Sequence, residues 1–191
     1  MKILDLSADQ NPHLAEIKTD GKTVYQGNFL HIEKDTVRLP DGNLVTREFI
    51  KHPGAVVILP LFDDGTVLLE RQFRYPLNQV FIEFPAGKID PNEDSLVCAQ
   101  RELKEETGYT ATDWRYLCTI HNAIAYADEH LDIYLARGLI AGKAQLDQEE
   151  FLDTFTAPAT QVLEWVKSGQ ITDVKTVIGA FWLEKIIAGV W

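Results

Sequence analysis

One stretch of the chain carries most of the information about its fold: residues 87–109 read GKIDPNEDSLVCAQRELKEETGY. Leu96, Ala99 and Leu103 recur at helical spacing and predict the apolar face of a helix over about residues 94–107. Gly108 follows where a left-handed residue can end a helix. The spacing therefore predicts an amphipathic helix that begins after a loop and stops at Gly108.

The same helix carries three glutamates that folding alone does not explain. Glu102 and Glu106 stand one turn apart, with Glu105 beside them. Like charges at this spacing cost roughly 0.2–0.5 kcal/mol per pair, and the helix dipole disfavours anions near the C-terminus. A solvated acidic face is one interpretation. A divalent cation is the other, because Mg²⁺ prefers carboxylate oxygens and bridges to phosphate, while Arg101 can fix one carboxylate through a forked hydrogen bond.

Strand patterns surround this helix. Thr23–Ile50 is rich in β-branched and aromatic residues, and the pairs Asp20-Gly21 and Asp41-Gly42 predict turns in an antiparallel β region. Ala55–Leu61 is a continuous apolar run that predicts a central buried strand. The turn residues after it lead to a strand at Thr66–Phe73, and we expect the two strands to form a hairpin.

The rest of the chain alternates strands with helices. Further strands are predicted at Val80–Phe84, Arg115–Ile120 and Leu131–Arg137. One helix is predicted to begin at Thr156 or Pro158 and to stop at Gly169, and another near Thr172 or Asp173. The second has five apolar residues at helical spacing that we expect in the core: Val174, Val177, Ile178, Phe181 and Trp182. The pattern as a whole predicts a mixed α/β sandwich.

Composition narrows the range of functions. The chain has 191 residues, enough for one compact domain with a small appended element, and 46% of them are apolar. We expect no membrane span and no signal peptide. The net charge of −11 repels a polyanion and argues against nucleic-acid binding. With only Cys98 and Cys118, the chain suits a reduced, cytoplasmic setting.

Residues 87–109 resemble the Nudix box at each of its defined positions: Gly87, Glu93, Arg101, Glu102, Leu103, Glu105, Glu106, Gly108 and Tyr109. Tyr109 is a mild departure if the last position is aliphatic. The resemblance implies a Nudix α/β/α sandwich with a mixed sheet over residues 51–191. It also implies an N-terminal antiparallel β segment, residues 1–50, that pairs across a homodimer.

The resemblance also implies roles for the box residues. Nudix hydrolases use the helix glutamates to bind divalent ions, so Glu102 and Glu106 would be the chief ligands of Mg²⁺ or Mn²⁺, with Glu105 assisting. The backbone carbonyl of Ala86 is a further candidate ligand. Gly87 would support the box, and so would an ion pair between Glu93 and Arg101 that orients the acids.

Features outside the box point to the ADP-ribose pyrophosphatase and nucleoside diphosphate sugar hydrolase branch. They are the N-terminal β segment, the segments 70–75 (ERQFRY) and 81–87 (FIEFPAG), and the closing run from Trp165 to Trp182. In this branch the general base lies on a loop before the penultimate helix, where Glu150 is the first candidate and Glu149 the second. A solvated acidic loop is the alternative.

The same branch implies residues that bind substrate. The candidates are Arg71, Arg74, Glu83, Tyr126 and Glu129. Structural roles for the two arginines, an ion pair at the strand edge for Arg71 and a packed stem for Arg74, are equally open. Ile124 and Ala125 depart from the branch, which has proline and glycine at these places, and this departure leaves the identity of the substrate open.

We therefore expect Mg²⁺-dependent hydrolysis of ADP-ribose or a related nucleoside diphosphate sugar, giving a nucleoside monophosphate and a sugar phosphate. GDP-mannose or another nucleotide sugar is an alternative substrate. A non-catalytic sensor of nucleotide sugars is the alternative from another class. Such sensors commonly lose box acids and carry a DNA-binding domain, whereas the acids of this box are all present.

Overall fold

The computed structural model describes residues 4–146 and 148–191. These residues form two compact units. The first runs to His52 and includes Ala123–Glu129, and the second comprises Pro53–Asn122 and His130–Trp191. Among the residues described, no helix has the length and apolar character needed to cross a membrane.

The first unit is an antiparallel sheet, as the sequence predicts. After a 3-10 turn at Ala8–Gln10 come β1 (Ile17–Gln26), β2 (His31–Arg38) and β3 (Leu44–Ile50), which pair in that order. Asp41-Gly42 lies in the turn between β2 and β3, where Gly42 takes a φ of 90°. The prediction of a turn at this pair is confirmed.

The turn predicted at Asp20-Gly21 is wrong, because both residues lie inside β1. The pairing of β1 with β2 shifts register between Lys18 and Asp20, as at a β-bulge. A Cβ on Gly21 would stand 2.0 Å from Oδ1 of Asp35 on β2. The glycine is therefore required by a close approach between strands rather than by a change of chain direction.

The second unit holds the remaining elements in two sheets and three helices. The strands are β4 (Ala55–Pro60), β5 (Thr66–Arg74), β6 (Gln79–Glu83), β7 (Ala86–Lys88), β8 (Thr110–Ile120), β9 (Leu131–Ile140) and β10 (Leu152–Pro158), with a 3-10 turn at Tyr75–Leu77. The helices are α1 (Ser95–Thr107), α2 (Ala159–Lys167) and α3 (Val174–Ile187). One sheet has the order β7-β4-β9-β8, and the other has the order β10-β5-β6.

Strand β4 lies at the centre of this unit and is buried along its whole length. Val56 and Ile58 pack in a cluster with residues of α1, and Val57 and Leu59 pack in a second cluster with residues of α2 and α3. Alternate side chains of a strand point to opposite faces. Helices therefore cover both faces of the sheet, which explains the unbroken apolar run.

The predicted hairpin between β4 and β5 is wrong. The two strands belong to different sheets: β4 pairs with β7 and runs parallel to β9, while β5 pairs with β6 and β10. An isolated bridge between Leu61 and Val67 and a hydrogen bond from the N–H of Phe62 to the carbonyl of Thr66 join them at the turn, and the strands then separate. Parallel pairing and burial on both faces place β4 inside its own sheet, and a turn signal between two strands cannot report this arrangement.

Two expectations near the C-terminus also need correction. The first late helix begins at Ala159, because Thr156 and Pro158 pair with β5 as part of β10. Val174 and Phe181 of α3 are about half exposed rather than in the core. The buried residues of α3 are instead Thr176, Gly179, Ala180, Leu183 and Ile186, whereas Val177, Ile178 and Trp182 are partly buried against the same cluster.

Helix α1 has firm ends. The side chain of Asp94 caps the N-terminus by accepting hydrogen bonds from the backbone N–H groups of Leu96 and Val97. Gly108 ends it with a φ of 76°, as predicted, and a Cβ there would stand 2.6 Å from the backbone N of Ala144. The C-terminal turn of α1 is thus held against the segment that leads to residues 148–150.

Candidate active site

The burial of α1 decides how its glutamates are presented. Ala99 and Leu103 are fully buried against the sheet. One turn further along, Glu106 is only 4% exposed, and Glu102 is also largely shielded from water. Glu105 is more open, with a side chain 40% exposed. The helix therefore turns two of its three acids towards the interior and one towards its edge.

Arg101 holds the acidic face together. Its Nε and Nη2 donate to the two carboxylate oxygens of Glu93, each at 2.8 Å. Its Nη1 donates to Glu102 at 2.7 Å and to Glu105 at 3.1 Å. The guanidinium lowers the pKa of Glu93 to about 2, so this carboxylate stays ionised. The structure thus brings Glu93, Arg101, Glu102 and Glu105 into one network.

The short strand β7 borders the same acids. The backbone N–H of Ala86 donates to Oε2 of Glu106 at 3.2 Å. A Cβ on Gly87 would stand 1.8 Å from the carboxyl carbon of Glu102, so any larger residue would push this side chain away. Glycine is needed here because the carboxylate of Glu102 rests directly on the backbone.

Glu150 and Glu149 lie on the segment before β10, and their environments differ. The negative charge of Glu150 acts on three buried carboxyl groups, those of Glu70, Glu102 and Glu106. The side chain of Glu149 is exposed. The segment that leads to these two residues also contacts α1, since the N–H of Gln145 donates to the carbonyl of Glu105 at 2.8 Å.

A second polar network lies on β5, β6 and α3. Nε and Nη2 of Arg74 donate to the two oxygens of Glu83 at 2.7 and 2.8 Å. Lys175 donates to the same carboxylate and to Asp173. Burial alone would raise the pKa of Glu83, but the hydrogen bond from Arg74 and the charge of Lys175 lower it. A pocket of about 590 Å³ opens beside these residues.

Glu70 was not among the residues predicted for the site. It lies on β5 directly opposite Glu83 on β6, and it is completely buried. Among the described residues, neither of its carboxylate oxygens has a hydrogen-bond partner. Burial first, and the charge of Glu83 second, raise its pKa to about 8. Burial first, and then the charges of Glu70, Glu102 and Glu150, raise the pKa of Glu106 well above its ordinary value.

The remaining predicted residues lie elsewhere. Arg71 is on the exposed side of β5, where it pairs with Asp153 at 3.1 Å and stands over the ring of Phe155. This is the structural alternative that the sequence left open for Arg71. Tyr126 and Glu129 belong to the first unit, where the backbone carbonyl of Tyr126 accepts from the N–H of Ile50 and the carboxylate of Glu129 lies 3.7 Å from Nε2 of His52.

The chemistry of the donors fits a hard divalent cation. As placed, the described His, Cys, Asp and Glu side chains form no group of three or more that could hold a metal ion, and Arg101 donates to both Glu102 and Glu105. Yet Glu106 and the unpartnered Glu70 are carboxylates buried with too few positive partners. Such groups are stable as anions only with a cation nearby.

Sequence analysis missed two residues of this region, Glu70 and Lys175. Glu70 directly follows the apolar run Val67–Leu69, and an acid inside a buried strand requires a partner. Lys175 follows the N-cap Asp173 of α3 and lies far from Glu83 in sequence, so only the fold brings them together. The sequence alone could have indicated Glu70, whereas it could not have indicated the contact between Lys175 and Glu83.

Comparison with known proteins agrees with the geometry. The NUDIX domain family matches residues 51–184, and the nucleoside diphosphate sugar hydrolase N-terminal domain matches residues 17–50. The chain is 35% identical to the ADP-ribose pyrophosphatase of Bacillus subtilis over 172 residues, which cover 88% of this chain and 93% of that protein. It is also 35% identical to the methanol dehydrogenase activator of Bacillus methanolicus over 170 residues, 88% and 91% of the two chains.

Among solved structures, the crystal structure of an ADP compounds hydrolase superposes with a TM-score of 0.82 at 23% identity, covering 92% of this chain and 96% of that one. This likeness concerns the fold alone, and it confirms the predicted α/β sandwich.

The raised pKa of Glu70 predicts how stability depends on pH when divalent ions are removed. Between pH 5 and 8 the carboxyl keeps its proton in the folded chain but loses it in the unfolded one, so the free energy of unfolding falls as pH rises. In EDTA, Glu70→Gln should remove part of this fall, on the order of a few kcal/mol by pH 8. Urea unfolding at pH 5, 6.5 and 8 measures the difference.

The control for this experiment is Glu164→Gln, which removes one charge from an exposed position on α2. Its stability should follow that of the parent chain at each pH. Parallel curves for the parent and Glu70→Gln would mean that Glu70 does not titrate in this range.

Proposed function

This chain belongs to the Nudix hydrolase family, and from this premise we propose that it hydrolyses the diphosphate bond of ADP-ribose or a related nucleoside diphosphate sugar. Water adds to one phosphorus and a phosphorus–oxygen bond breaks, giving a nucleoside monophosphate and a sugar phosphate. The observation that carries the proposal is the nucleoside diphosphate sugar hydrolase N-terminal domain, which directly precedes the NUDIX domain in the chain.

Nudix hydrolases generally use divalent metal cations, and we propose Mg²⁺ here, with Mn²⁺ as a substitute. Glu102, Glu106, Glu105 and the carbonyl of Ala86 would hold it. A bound cation neutralises the diphosphate and lowers the pKa of a water molecule. Arg101 keeps Glu102 and Glu105 oriented through its hydrogen bonds, and the glycine at 87 leaves room for Glu102.

Glu150 is the residue that we propose to accept the proton of the attacking water. Its charge acts on Glu102 and Glu106, so it lies where a carboxylate can receive a proton beside them. Glu149, the second candidate, points into solvent. A general base must be within reach of the water that it activates, and this requirement favours Glu150.

We propose that Arg74 and Glu83 contact the substrate together. Glu83 accepts hydrogen bonds from Nε and Nη2 of Arg74, which leaves Nη1 for a diphosphate oxygen. The side chain of Arg74 is 42% exposed. Arg71, Tyr126 and Glu129 remain candidates for the nucleoside and sugar groups. Neither nucleic acid nor a membrane is proposed as a partner, given the net charge of −11. The two free cysteines fit a cytoplasmic location.

The first test is phosphate-product release from ADP-ribose, ADP-glucose, GDP-mannose, a dinucleoside diphosphate and nucleoside triphosphates. We expect turnover of a diphosphate sugar with Mg²⁺ and none with EDTA. Glu106→Gln should lower kcat/KM by at least about 100-fold, because it removes a proposed cation ligand, and even outer-shell partners of a metal cost up to that factor. The exposed variant Glu164→Gln is the matched control.

Turnover restricted to GDP-mannose would support the proposed hydrolysis of a diphosphate bond but would replace ADP-ribose with GDP-mannose as the substrate. Tight binding of one panel member without any turnover would favour the nucleotide-sugar sensor instead.

The second test separates the two loop glutamates. At saturating Mg²⁺, Glu150→Gln should lower kcat by about 10²- to 10⁴-fold, the usual contribution of a general base, with little change in KM. Glu149→Gln removes the same charge one residue away and should stay within a few-fold of the parent chain. Product release at pH 6–9 measures both. The opposite order of effects would transfer the role to Glu149.

We also propose that the chain is a homodimer formed through its N-terminal β segment. All ten residues of β1 are exposed, and they include the apolar side chains of Ile17, Val24 and Tyr25. An exposed edge strand with apolar residues suits pairing with a second chain.

Deleting residues 1–50 tests this proposal. The apolar core lies almost wholly in the second unit, so we expect a folded monomer with poor activity, checked by circular dichroism and sedimentation velocity. A truncated chain that stays dimeric and fully active would contradict the proposal.

A further inference from the structure

Glu70 has no role in the function proposed above, yet it is a fully buried carboxylate of the second unit. Its exposed fraction is 0%, and among the described residues both carboxylate oxygens lack a hydrogen-bond partner. A buried carboxylate without a partner costs several kcal/mol as an anion. Such a group is kept in a fold only where something offsets the cost.

The direction of the side chain follows from its strand. Leu68 packs in the cluster that contains Cys98, Ala99 and Leu103 of α1, whereas Leu69 packs in the cluster of α2 and α3. Residues two apart on a strand share a face, so Glu70 points to the same side as Leu68. The side chain of Glu70 is therefore directed towards the layer of α1 that carries the box glutamates.

On α1, Glu106 lies one turn after Leu103, just as Glu70 follows Leu68 on the same face of β5. The charge of Glu70 is the largest charge effect on Glu106, ahead of those of Glu102 and Glu150. Among the described residues, the carboxylate of Glu106 accepts a hydrogen bond from the backbone N–H of Ala86. Next to the apolar contact between β5 and α1, the strand and the helix thus each contribute a buried carboxylate, Glu70 and Glu106.

The nearby cations form their hydrogen bonds with carboxylates other than that of Glu70. Arg74 and Lys175 both donate to Glu83, the residue across from Glu70, and Lys175 also donates to Asp173. Arg101 is shared by Glu93, Glu102 and Glu105. The side of Glu70 that faces Glu106 therefore has more carboxylates than cations among the described residues, and either a proton or a cation from solution can balance their charge.

We propose that Glu70 supplies its carboxylate, from the sheet, to the divalent cation held by Glu102 and Glu106 of the helix. The inference rests on the proposed function in one respect, namely that the site binds such a cation. It adds a charged oxygen donor outside the family's box, contributed directly or through a metal-bound water. A hard ion such as Mg²⁺ keeps several waters and accepts either arrangement.

Equilibrium binding of metal alone tests the inference without any reaction. The dissociation constants of Mg²⁺, by calorimetry, and of Mn²⁺, by electron paramagnetic resonance of the free ion, are measured for the parent chain, Glu70→Gln, Glu106→Gln and Glu164→Gln. We expect Glu70→Gln to weaken both ions by about 10- to 100-fold, the range for partners around a bound metal. Glu164→Gln, exposed on α2, should bind as the parent does.

The outcomes separate the two proposals. Parent-like affinity of Glu70→Gln, together with lost binding in Glu106→Gln, would overturn the role of Glu70 and leave the proposed function standing. No binding of either ion by the parent chain would remove the proposed function itself. If Glu70→Gln does not fold, Glu70→Leu replaces it, because an apolar side chain suits a buried strand position, and the same affinities decide.

Discussion

The candidate active site keeps several carboxylates close together where water is scarce. Glu70, Glu102 and Glu106 come from a strand and a helix, each is largely buried, and their charges repel one another. The repulsion has opposite consequences for folding and for binding. It makes the chain without cations less stable at neutral pH, and it makes the site attractive to any cation that can replace the missing positive charge.

The scaffold resists this repulsion by fixing the backbone on both sides of it. Strand β4, buried on both faces, sets the layer on which α1 packs through Ala99 and Leu103. Gly87 lets Glu102 rest against β7, and Gly108 lets the segment after β9 approach the end of α1. Since the clusters are apolar and tightly packed, the carboxylates cannot relax by moving the helix. Charge has to be balanced within the site.

Much of this could be predicted from the sequence because its signals are local. The spacing of Leu96, Ala99 and Leu103, the glycine at 108 and the grouped glutamates define α1 and the side that carries the acids. What failed were decisions that depend on distant strands. The turn signal after β4 is real, but the parallel partner β9, seventy-odd residues away, determines which sheet β4 joins. Asp20-Gly21 has the composition of a turn, but it lies beside a β-bulge in β1.

The site itself divides in the same way. Arg101 can be assigned from its neighbours in sequence, whereas the pairing of Arg74, Glu83 and Lys175 exists only after β5, β6 and α3 have packed. This pairing has a consequence for Glu70. Both cations donate to Glu83, so the carboxylate opposite has no hydrogen-bond partner among the described residues, and its charge acts on Glu106. The charge of Glu83 raises the pKa of Glu70, whereas the charges of Lys175 and Arg74 lower it. A chain that lacked Lys175 would therefore have a greater excess of negative charge beside Glu70, and a greater demand for a cation at the helix.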